Sequence, residues 1–238
     1  MFPQFMNQTQ TVANETQLAA HMRMIFNYMT GGVALAGITG WLTLQNQEAT
    51  MVAAQSGIIL FLVWFGVGMF FHKIAFSVQP ATALLFFALF SALTGFMFAP
   101  VMLAYAQTDI TLAFFAAAGT FLAASVYGYT TNRSLASLGS FLAVGGIALI
   151  IFMVVLLVMG IFGGGVPAGL SLVFSLLVVP FVTLAIAYKM NQIRESFHQY
   201  SADELTTSRL AIIHALGFFT DFAVLFLHLL RIIGAARN

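Results

Sequence analysis

The sequence predicts an all-α integral membrane protein that crosses the bilayer seven times. Of its 238 residues, 61% are apolar, and the charged residues are only eight Lys and Arg and seven Asp and Glu. A soluble chain of this length carries about 60 charged residues. Seven runs are each apolar for roughly the 20 residues that a helix needs to span a bilayer core about 30 Å thick. Their apolar residues are continuous, which disfavours the alternating pattern of a transmembrane β-strand.

Polar or turn-forming residues separate the runs. The predicted crossings are residues 25–44, 52–71, 81–105, 110–127, 139–162, 167–188 and 210–233. A polar segment at 45–49 ends the first, Pro80 precedes the third, polar residues at 107–109 precede the fourth, and three glycines at 163–165 precede the sixth. We therefore expect one transmembrane domain, residues 25–233, between a polar N-terminal tail, residues 1–24, and a short C-terminal tail, residues 234–238.

The basic residues predict the orientation. With the N-terminal tail in the cytoplasm, six of the eight fall on the cytoplasmic side, as the positive-inside rule requires. These six are Arg23, Lys73, Arg133, Lys189, Arg194 and Arg209. Arg231 and Arg237 then lie outside, together with the C-terminus.

Composition and motifs exclude several classes of function. The absence of Cys excludes a disulfide-stapled module, a thiol catalyst and a thiolate metal site. A net charge of +1 provides no electrostatic field for nucleic acid. There is no HExxH motif, Walker loop or nucleophile elbow. We expect a protein that is not an enzyme, with no catalytic residue, no assigned metal site and no resident cofactor, and with membrane lipid as its first partner.

Asp221 is the ionisable residue that lies deepest in a predicted crossing. It is 11 residues into the last run, roughly 16 Å along a helix. A charge there costs at least about 2.5 kcal/mol on insertion scales, so it should face the bundle interior or a water-filled cavity and have a partner. A functional role is the default interpretation. The alternative is a structural hydrogen bond to a neighbouring helix.

Two histidines extend the polar face of the same helix. His214 and His228 are seven residues before and after Asp221, and a seven-residue step drifts by only about 20° around a helix. Imidazoles that flank a carboxylate could relay protons or titrate between about pH 5 and 8. The alternative is that each histidine forms a buried polar contact near a membrane surface.

Lys189 ends the sixth predicted crossing and is the candidate partner for Asp221. Two straight helices that start at the same membrane face would leave Lys189 about 15 Å shallower than Asp221. A kink at Pro180, or a seventh helix that begins in the cytoplasm, would shorten this gap. The alternative is a lysine that reaches the inner headgroups.

Gly32, Ala36 and Gly40 recur every four residues in the first crossing. Such a stripe of small residues lets two membrane helices approach closely. We expect it to pack against another helix.

Three segments, in chain order, resemble the Bax inhibitor-1 family. Residues 125–135, SVYGYTTNRSL, resemble its YGYTTKRDL segment. Residues 80–95 resemble its second-to-third helix segment, and residues 221–234 its closing helix, including Arg231. The matching motif residues of the first segment are Tyr127, Gly128, Tyr129, Thr130, Thr131 and Arg133. The likeness runs from about residue 20 to the C-terminus and is greatest to bacterial inner-membrane members.

The resemblance implies seven helices, with the last one central and wrapped by the other six. It also implies a pH-sensitive Ca²⁺ leak, gated by two aspartates that share a proton, one at the end of helix six and one in helix seven. Asp221 matches the second aspartate, but Lys189 stands where the family has the first. An ammonium and a carboxylate need no shared proton. A gate formed by Lys189 and Asp221 should therefore stay closed through neutral pH. Proton sensing would then be lost or moved to His214, His228 and His72.

Three functions compete. The leading one is a Ca²⁺ leak channel of the bacterial inner membrane, linked by resemblance to stress or cell-death control, with transient Ca²⁺ and no cofactor. Lys189 complicates it, because a positive charge on the path repels Ca²⁺. The second is a non-conducting regulator that binds a membrane-anchored AAA protease or other membrane proteins. The third, a proton-coupled solute transporter that uses Asp221 and the histidines, lacks an inverted repeat.

Overall fold

In the part that the computed structural model describes, the chain folds into α-helices joined by short connections. The model describes the backbone of residues 3–163, 165–200 and 203–237, and the side chains of residues 15–163, 165–197, 199 and 203–237. The helices are α1 (Pro3–Leu44), α2 (Gln47–Gln55), α3 (Gly57–Ser77), α4 (Pro80–Met102), α5 (Gln107–Thr130), α6 (Leu138–Phe162), α7 (Ala168–Tyr200) and α8 (Glu204–Arg237). The predicted all-α class of membrane protein is confirmed.

Among the described residues, six helices are long and apolar enough to cross a membrane, namely α3 to α8. The predicted first crossing, residues 25–44, lies inside α1, which is not among the six. Its apolar content is diluted by Asn27, Thr30 and several glycines.

The predicted second crossing begins too early. Residues 52–55 belong to the short helix α2, which is broken from α3 at Ser56. The side chain of Asn46 caps α2 by accepting a hydrogen bond from the Ala49 N–H at 3.0 Å. This cap starts a separate helix before the apolar run, which a hydropathy pattern does not reveal.

Both predicted tails are helical where the structure describes them. α1 begins at Pro3, within the predicted tail of residues 1–24, and α8 continues to Arg237, within the predicted tail of residues 234–238. Residues 1–2 and 238, and the side chains of residues 1–14, lie outside the described part. The helices thus continue past the apolar runs that mark the bilayer.

α7 extends furthest beyond its predicted end at residue 188, because it reaches Tyr200. Met190, Ile193 and Phe197 are buried along this extension and recur at helical spacing. The predicted crossing ended at residue 188 because polar residues follow it. One apolar face is enough to keep the segment helical where it leaves the membrane.

The chain divides into two compact units. The first comprises residues 1–104 and 196–219, and the second comprises residues 105–195 and 220–238. α8 contributes residues 204–219 to the first and residues 220–237 to the second. The predicted ion-path residues Lys189 and Asp221 both belong to the second unit.

In the first unit, α1 packs directly on α4. A Cβ on Gly40 would lie 3.2 Å from the carbonyl oxygen of Gly95, and a Cβ on Gly95 would overlap the carbonyl oxygen of Ala36. The hydroxyl of Thr39 donates to the carbonyl of Ala92 at 3.1 Å across the same contact. The predicted stripe of small residues packs here.

Asp203 caps the N-terminus of α8 in the first unit. Its carboxylate accepts hydrogen bonds from the Leu205 and Thr206 N–H groups, both at 3.2 Å, and from the Thr206 hydroxyl. The Thr206 hydroxyl bond in particular lowers the pKa of Asp203 below its usual 3.8. Because the folded protein holds the ionised form, this group stabilises the fold above pH 3.8 and loses that contribution as the pH falls through its lowered pKa.

We expect Asp203→Ala to lower the thermal midpoint at neutral pH and to flatten the decline of stability below about pH 4. Thermal unfolding in detergent between pH 3 and 7 would measure both effects. Asp203→Asn, which keeps an acceptor oxygen without the charge, should retain part of the stability. Parallel acid profiles for the wild type and Asp203→Ala would contradict the cap's contribution.

Candidate functional site

Lys189 of α7 and Asp221 of α8 form an ion pair inside the second unit. The Lys189 Nζ lies 2.9 Å from both Asp221 Oδ1 and Oδ2, so one ammonium bonds both carboxylate oxygens. The side chain of Asp221 is 11% exposed and that of Lys189 is 43% exposed. The carboxylate is therefore mostly buried, whereas the lysine side chain is partly exposed.

The extra length of α7 and α8 brings the pair together. The expected gap of about 15 Å assumed that both helices start at the same membrane face. Instead, Lys189 lies 11 residues before the end of α7, and Asp221 lies 17 residues after the start of α8. The difference is roughly 9 Å along a helix axis. The flexible four-carbon stem of a lysine covers most of it.

The motif segment at the end of α5 holds α7 in place. Gly128 lies so close to Ala187 that a Cβ would overlap its carbonyl oxygen. The guanidinium of Arg194 donates to the carbonyl oxygens of Tyr129 at 2.6 Å and of Thr131 at 2.8 Å. Arg194 thus satisfies carbonyls that the end of a helix leaves without partners. These contacts fix α7 at both sides of Lys189.

The other motif residues lie at the surface. Tyr127, Thr130 and Arg133 are exposed, and the Thr130 hydroxyl donates to the Val126 carbonyl of its own helix at 2.7 Å. Arg231 is partly buried on α8. The resemblance thus marks both the buried contact at Gly128 and an exposed segment at the end of α5.

The three predicted histidines have different surroundings. In the second unit, Nδ1 of His228 lies 2.9 Å from Oγ of Ser175. In the first unit, the ring of His214 meets the ring of His21 edge-on, with centroids 6.1 Å apart. His72 is exposed on α3 beside Phe76. The structure thus places one of the three, His228, in the same unit as Asp221.

Sequence reasoning missed a second ion pair in the second unit. Nη1 of Arg237 lies 2.6 Å from Oδ1 of Asp109 and donates to the hydroxyl of Thr108 at 2.7 Å. Asp109 lies in the first turn of α5 and Arg237 in the last turn of α8, where helix dipoles favour each charge. The sequence contained one indication of this pair, because the predicted orientation places both residues on the outer side of the membrane. Sequence alone did not show that α5 and α8 are neighbours there.

Arg237→Ala should lower the free energy of unfolding by about 1–3 kcal/mol, because the Asp109 side chain, 7% exposed, would stay buried without its counter-charge. Chemical denaturation in detergent would measure the loss. Arg133→Ala, at an exposed arginine outside any ion pair among the described residues, is the matched control and should change stability by less than about 0.5 kcal/mol. Equal losses for the two variants would show that the Asp109–Arg237 pair contributes nothing specific.

Comparison with known proteins supports the sequence resemblance. The family model described as "Inhibitor of apoptosis-promoting Bax1" matches residues 18–238. An uncharacterised protein of Rickettsia prowazekii is 31% identical over 97% of this chain and 97% of its own. An uncharacterised protein of Borreliella burgdorferi is 31% identical over 90% of this chain and 91% of its own. The inner membrane protein YbhL of Escherichia coli K12 is 28% identical over 92% of this chain and 93% of its own. Six helices of the described part are long and apolar enough to cross a membrane, and the chain is an integral membrane protein that belongs to the Bax inhibitor-1 family.

Proposed function

We propose that this protein is a cation leak channel that carries Ca²⁺ and is held closed by the Lys189–Asp221 ion pair. The observation that carries the proposal is the bidentate contact of Lys189 Nζ with Asp221, at 2.9 Å to each oxygen. The protein is not an enzyme and needs no resident cofactor. Among the described residues, no group of three or more His, Asp or Glu could hold a metal ion.

The exposure of the two side chains supports a gate. Charges inside a membrane bundle are expensive, and they mark ion pathways by default. Within the pair, the Asp221 side chain is 11% exposed, whereas the Lys189 side chain is 43% exposed. In the proposed open state, Lys189 has left Asp221. A cation could then bind the free carboxylate.

The charge of Lys189 explains why the closed state should conduct little. While the ammonium occupies both oxygens of Asp221, it neutralises the carboxylate and repels Ca²⁺. A proton is not needed to hold this pair. We therefore expect little leak at neutral pH, unlike a gate made of two aspartates.

The proposal includes seven crossings, with residues 25–44 of α1 as the first. The close packing of α1 on α4, which is a membrane-spanning candidate, supports this assignment. The N-terminus then lies in the cytoplasm and the C-terminus outside, in an inner membrane like that named for YbhL. A central last helix is supported by burial, because 61% of the apolar window of α8 is buried, against 6% for α6.

The test is Ca²⁺ flux into proteoliposomes at several pH values. The wild type should be nearly silent at neutral pH. Lys189→Asp should leak at least about tenfold faster, because one reversed charge near the path changes the energy of a cation by more than the 1.4 kcal/mol that tenfold requires. Its leak should depend on pH, since two carboxylates then share the site. Asp221→Asn should not gain this leak.

A wild type that leaks freely, with neither substitution altering the rate, would place the path elsewhere. Silence of the wild type and both variants would favour the non-conducting regulator. That regulator would be recognised by its co-purification with a membrane-anchored protease.

A further inference from the structure

One face of α7 packs against the end of α5 and against the loop that joins α5 to α6. Ala187, Asn191 and Arg194 recur at steps of four and three residues, so they share this face. Gly128 of α5 lies against the backbone of Ala187. The Asn191 side chain is fully buried, and its Oδ1 accepts a hydrogen bond from the Leu135 N–H of the loop at 3.0 Å. This face of α7 is therefore held by both the helix and the loop.

Arg194 makes polar contacts between this face and the end of α5. Its Nη1 donates to the carbonyl oxygen of Tyr129 at 2.6 Å, and its Nη2 donates to that of Thr131 at 2.8 Å. α5 ends at Thr130, so the two carbonyls lie at a helix C-terminus, where the helix dipole favours a cation. One planar guanidinium thus bonds two carbonyls at once, which a single ammonium does not do in the same geometry. Arg194 therefore ties α7 to α5 in one orientation.

Lys189 lies on the opposite face of α7. It is two residues after Ala187 and two residues before Asn191, which is roughly 200° around a helix from each. Its Nζ meets both carboxylate oxygens of Asp221 on α8 at 2.9 Å. The rotation of α7 that keeps Ala187 and Asn191 against α5 and its loop therefore also directs Lys189 toward α8.

Pro180 makes the rotation of this part of α7 depend on its contacts. A proline has no N–H, so the Leu176 carbonyl lacks its partner within the helix, and helices bend most easily at such points. Lys189 lies nine residues after Pro180. The part of α7 before Pro180 therefore does not by itself fix the direction in which Lys189 points.

We infer that Arg194 is a positioning residue of the proposed gate. By bonding two carbonyl oxygens at the end of α5, it holds α7 at the rotation in which the Lys189 ammonium meets Asp221. This inference rests on the proposed function. Without the guanidinium, the segment after Pro180 can rotate, and the ion pair forms for a smaller part of the time. Arg194 acts through Lys189 and does not bind the ion.

The positioning role can be tested without any flux. Solid-state NMR of protein in liposomes, with nitrogen-15 at lysine Nζ and carbon-13 at aspartate Cγ, measures the dipolar coupling across the ion pair. The lysines of the chain are Lys73 and Lys189. Lys73 is outside any ion pair among the described residues and serves as the internal reference, and the Lys189 signal is the one lost in Lys189→Met. Arg194→Ala should weaken the coupling of Lys189 to aspartate.

Two further variants separate the geometry of Arg194 from its charge. Arg133→Ala removes an exposed arginine from the neighbouring loop and should leave the Lys189 coupling as in the wild type. Arg194→Lys keeps the charge without the two-pronged contact and should give an intermediate coupling. If Arg194→Ala does not fold, Arg194→Lys carries the test. An unchanged Lys189 coupling in the folded Arg194 variants would overturn the inference even if the leak is real.

Ca²⁺ flux in proteoliposomes tests the consequence for the gate. Arg194→Ala should raise the leak at neutral pH by about tenfold, as expected when the closed state loses one charge-assisted hydrogen bond. In the Lys189→Asp background there is no ammonium to position, so adding Arg194→Ala should change nothing, whereas a general loosening of the helices would raise the leak in both backgrounds. A further rise in the Lys189→Asp background, or no rise in the wild-type background, would contradict the positioning role. If Lys189→Asp does not leak, the proposed gate fails, and the NMR result still decides whether Arg194 positions Lys189.

Discussion

Lys189→Met should lower the free energy of unfolding by about 2–4 kcal/mol. The substitution keeps the length of the side chain but leaves the Asp221 carboxylate, 11% exposed, without its counter-charge. Removing one partner of a fully buried ion pair costs about 3–5 kcal/mol. The loss should be somewhat smaller here because the Lys189 side chain is 43% exposed. Unfolding in mixed micelles, followed by tryptophan fluorescence, would measure it.

The matched control removes both charges. Lys189→Met/Asp221→Leu replaces the pair with apolar side chains and should recover most of the lost stability, since no unpaired charge remains. The coupling between the two positions is then given by the double-mutant cycle. A single variant as stable as the wild type, or a double variant no better than Lys189→Met, would show that the pair is not an energetic unit.

Gly95→Val should prevent stable folding or cost more than about 3 kcal/mol. A Cβ at this position would overlap the Ala36 carbonyl oxygen and the Thr39 hydroxyl. Backbone atoms of α1 cannot rotate away as the end of a side chain can, so α1 and α4 would have to separate. The bond from Thr39 to the Ala92 carbonyl would be lost with them. The yield of monodisperse protein and its thermal midpoint would report the effect.

Gly37→Val is the matched control, and it lies on α1, the other helix of this contact. No atom lies within 4 Å of a Cβ at Gly37, so the larger side chain enters open space. Its yield and thermal midpoint should equal those of the wild type or exceed them, because valine is a better helix former than glycine. Equal behaviour of Gly95→Val and Gly37→Val would contradict the close packing of α1 on α4.

Much of the fold could be predicted because apolar runs report directly on the bilayer. α4, α5 and α6 begin and end within a few residues of the predicted bounds. What could not be predicted is how far helices continue outside the apolar runs. That depends on packing, as for Ile193 and Phe197 on the extension of α7, and on a local cap, as for Asn46 before α2.

The candidate site, like the fold, could be predicted from the sequence only in part. Asp221 could be found from sequence because an ionisable residue within an apolar run is costly wherever it points. Lys189 could be named as its partner by charge and by resemblance, but the distance depended on the length of α7. Ser175 and the Asp109–Arg237 pair were not predicted. A single sequence does not show which helices are neighbours, so it cannot join a serine to a histidine 53 residues away.

Exchanging the two charges tests the gate most directly, through Ca²⁺ flux in proteoliposomes at neutral pH. Lys189→Asp/Asp221→Lys keeps an ammonium and a carboxylate at the site but reverses their positions, whereas Lys189→Asp alone leaves two carboxylates. If the ion pair closes the path, the exchanged variant should be as silent as the wild type, and Lys189→Asp should leak at least about tenfold faster. An exchanged variant that leaks as fast as Lys189→Asp, while remaining folded, would show that the pair does not hold the path closed.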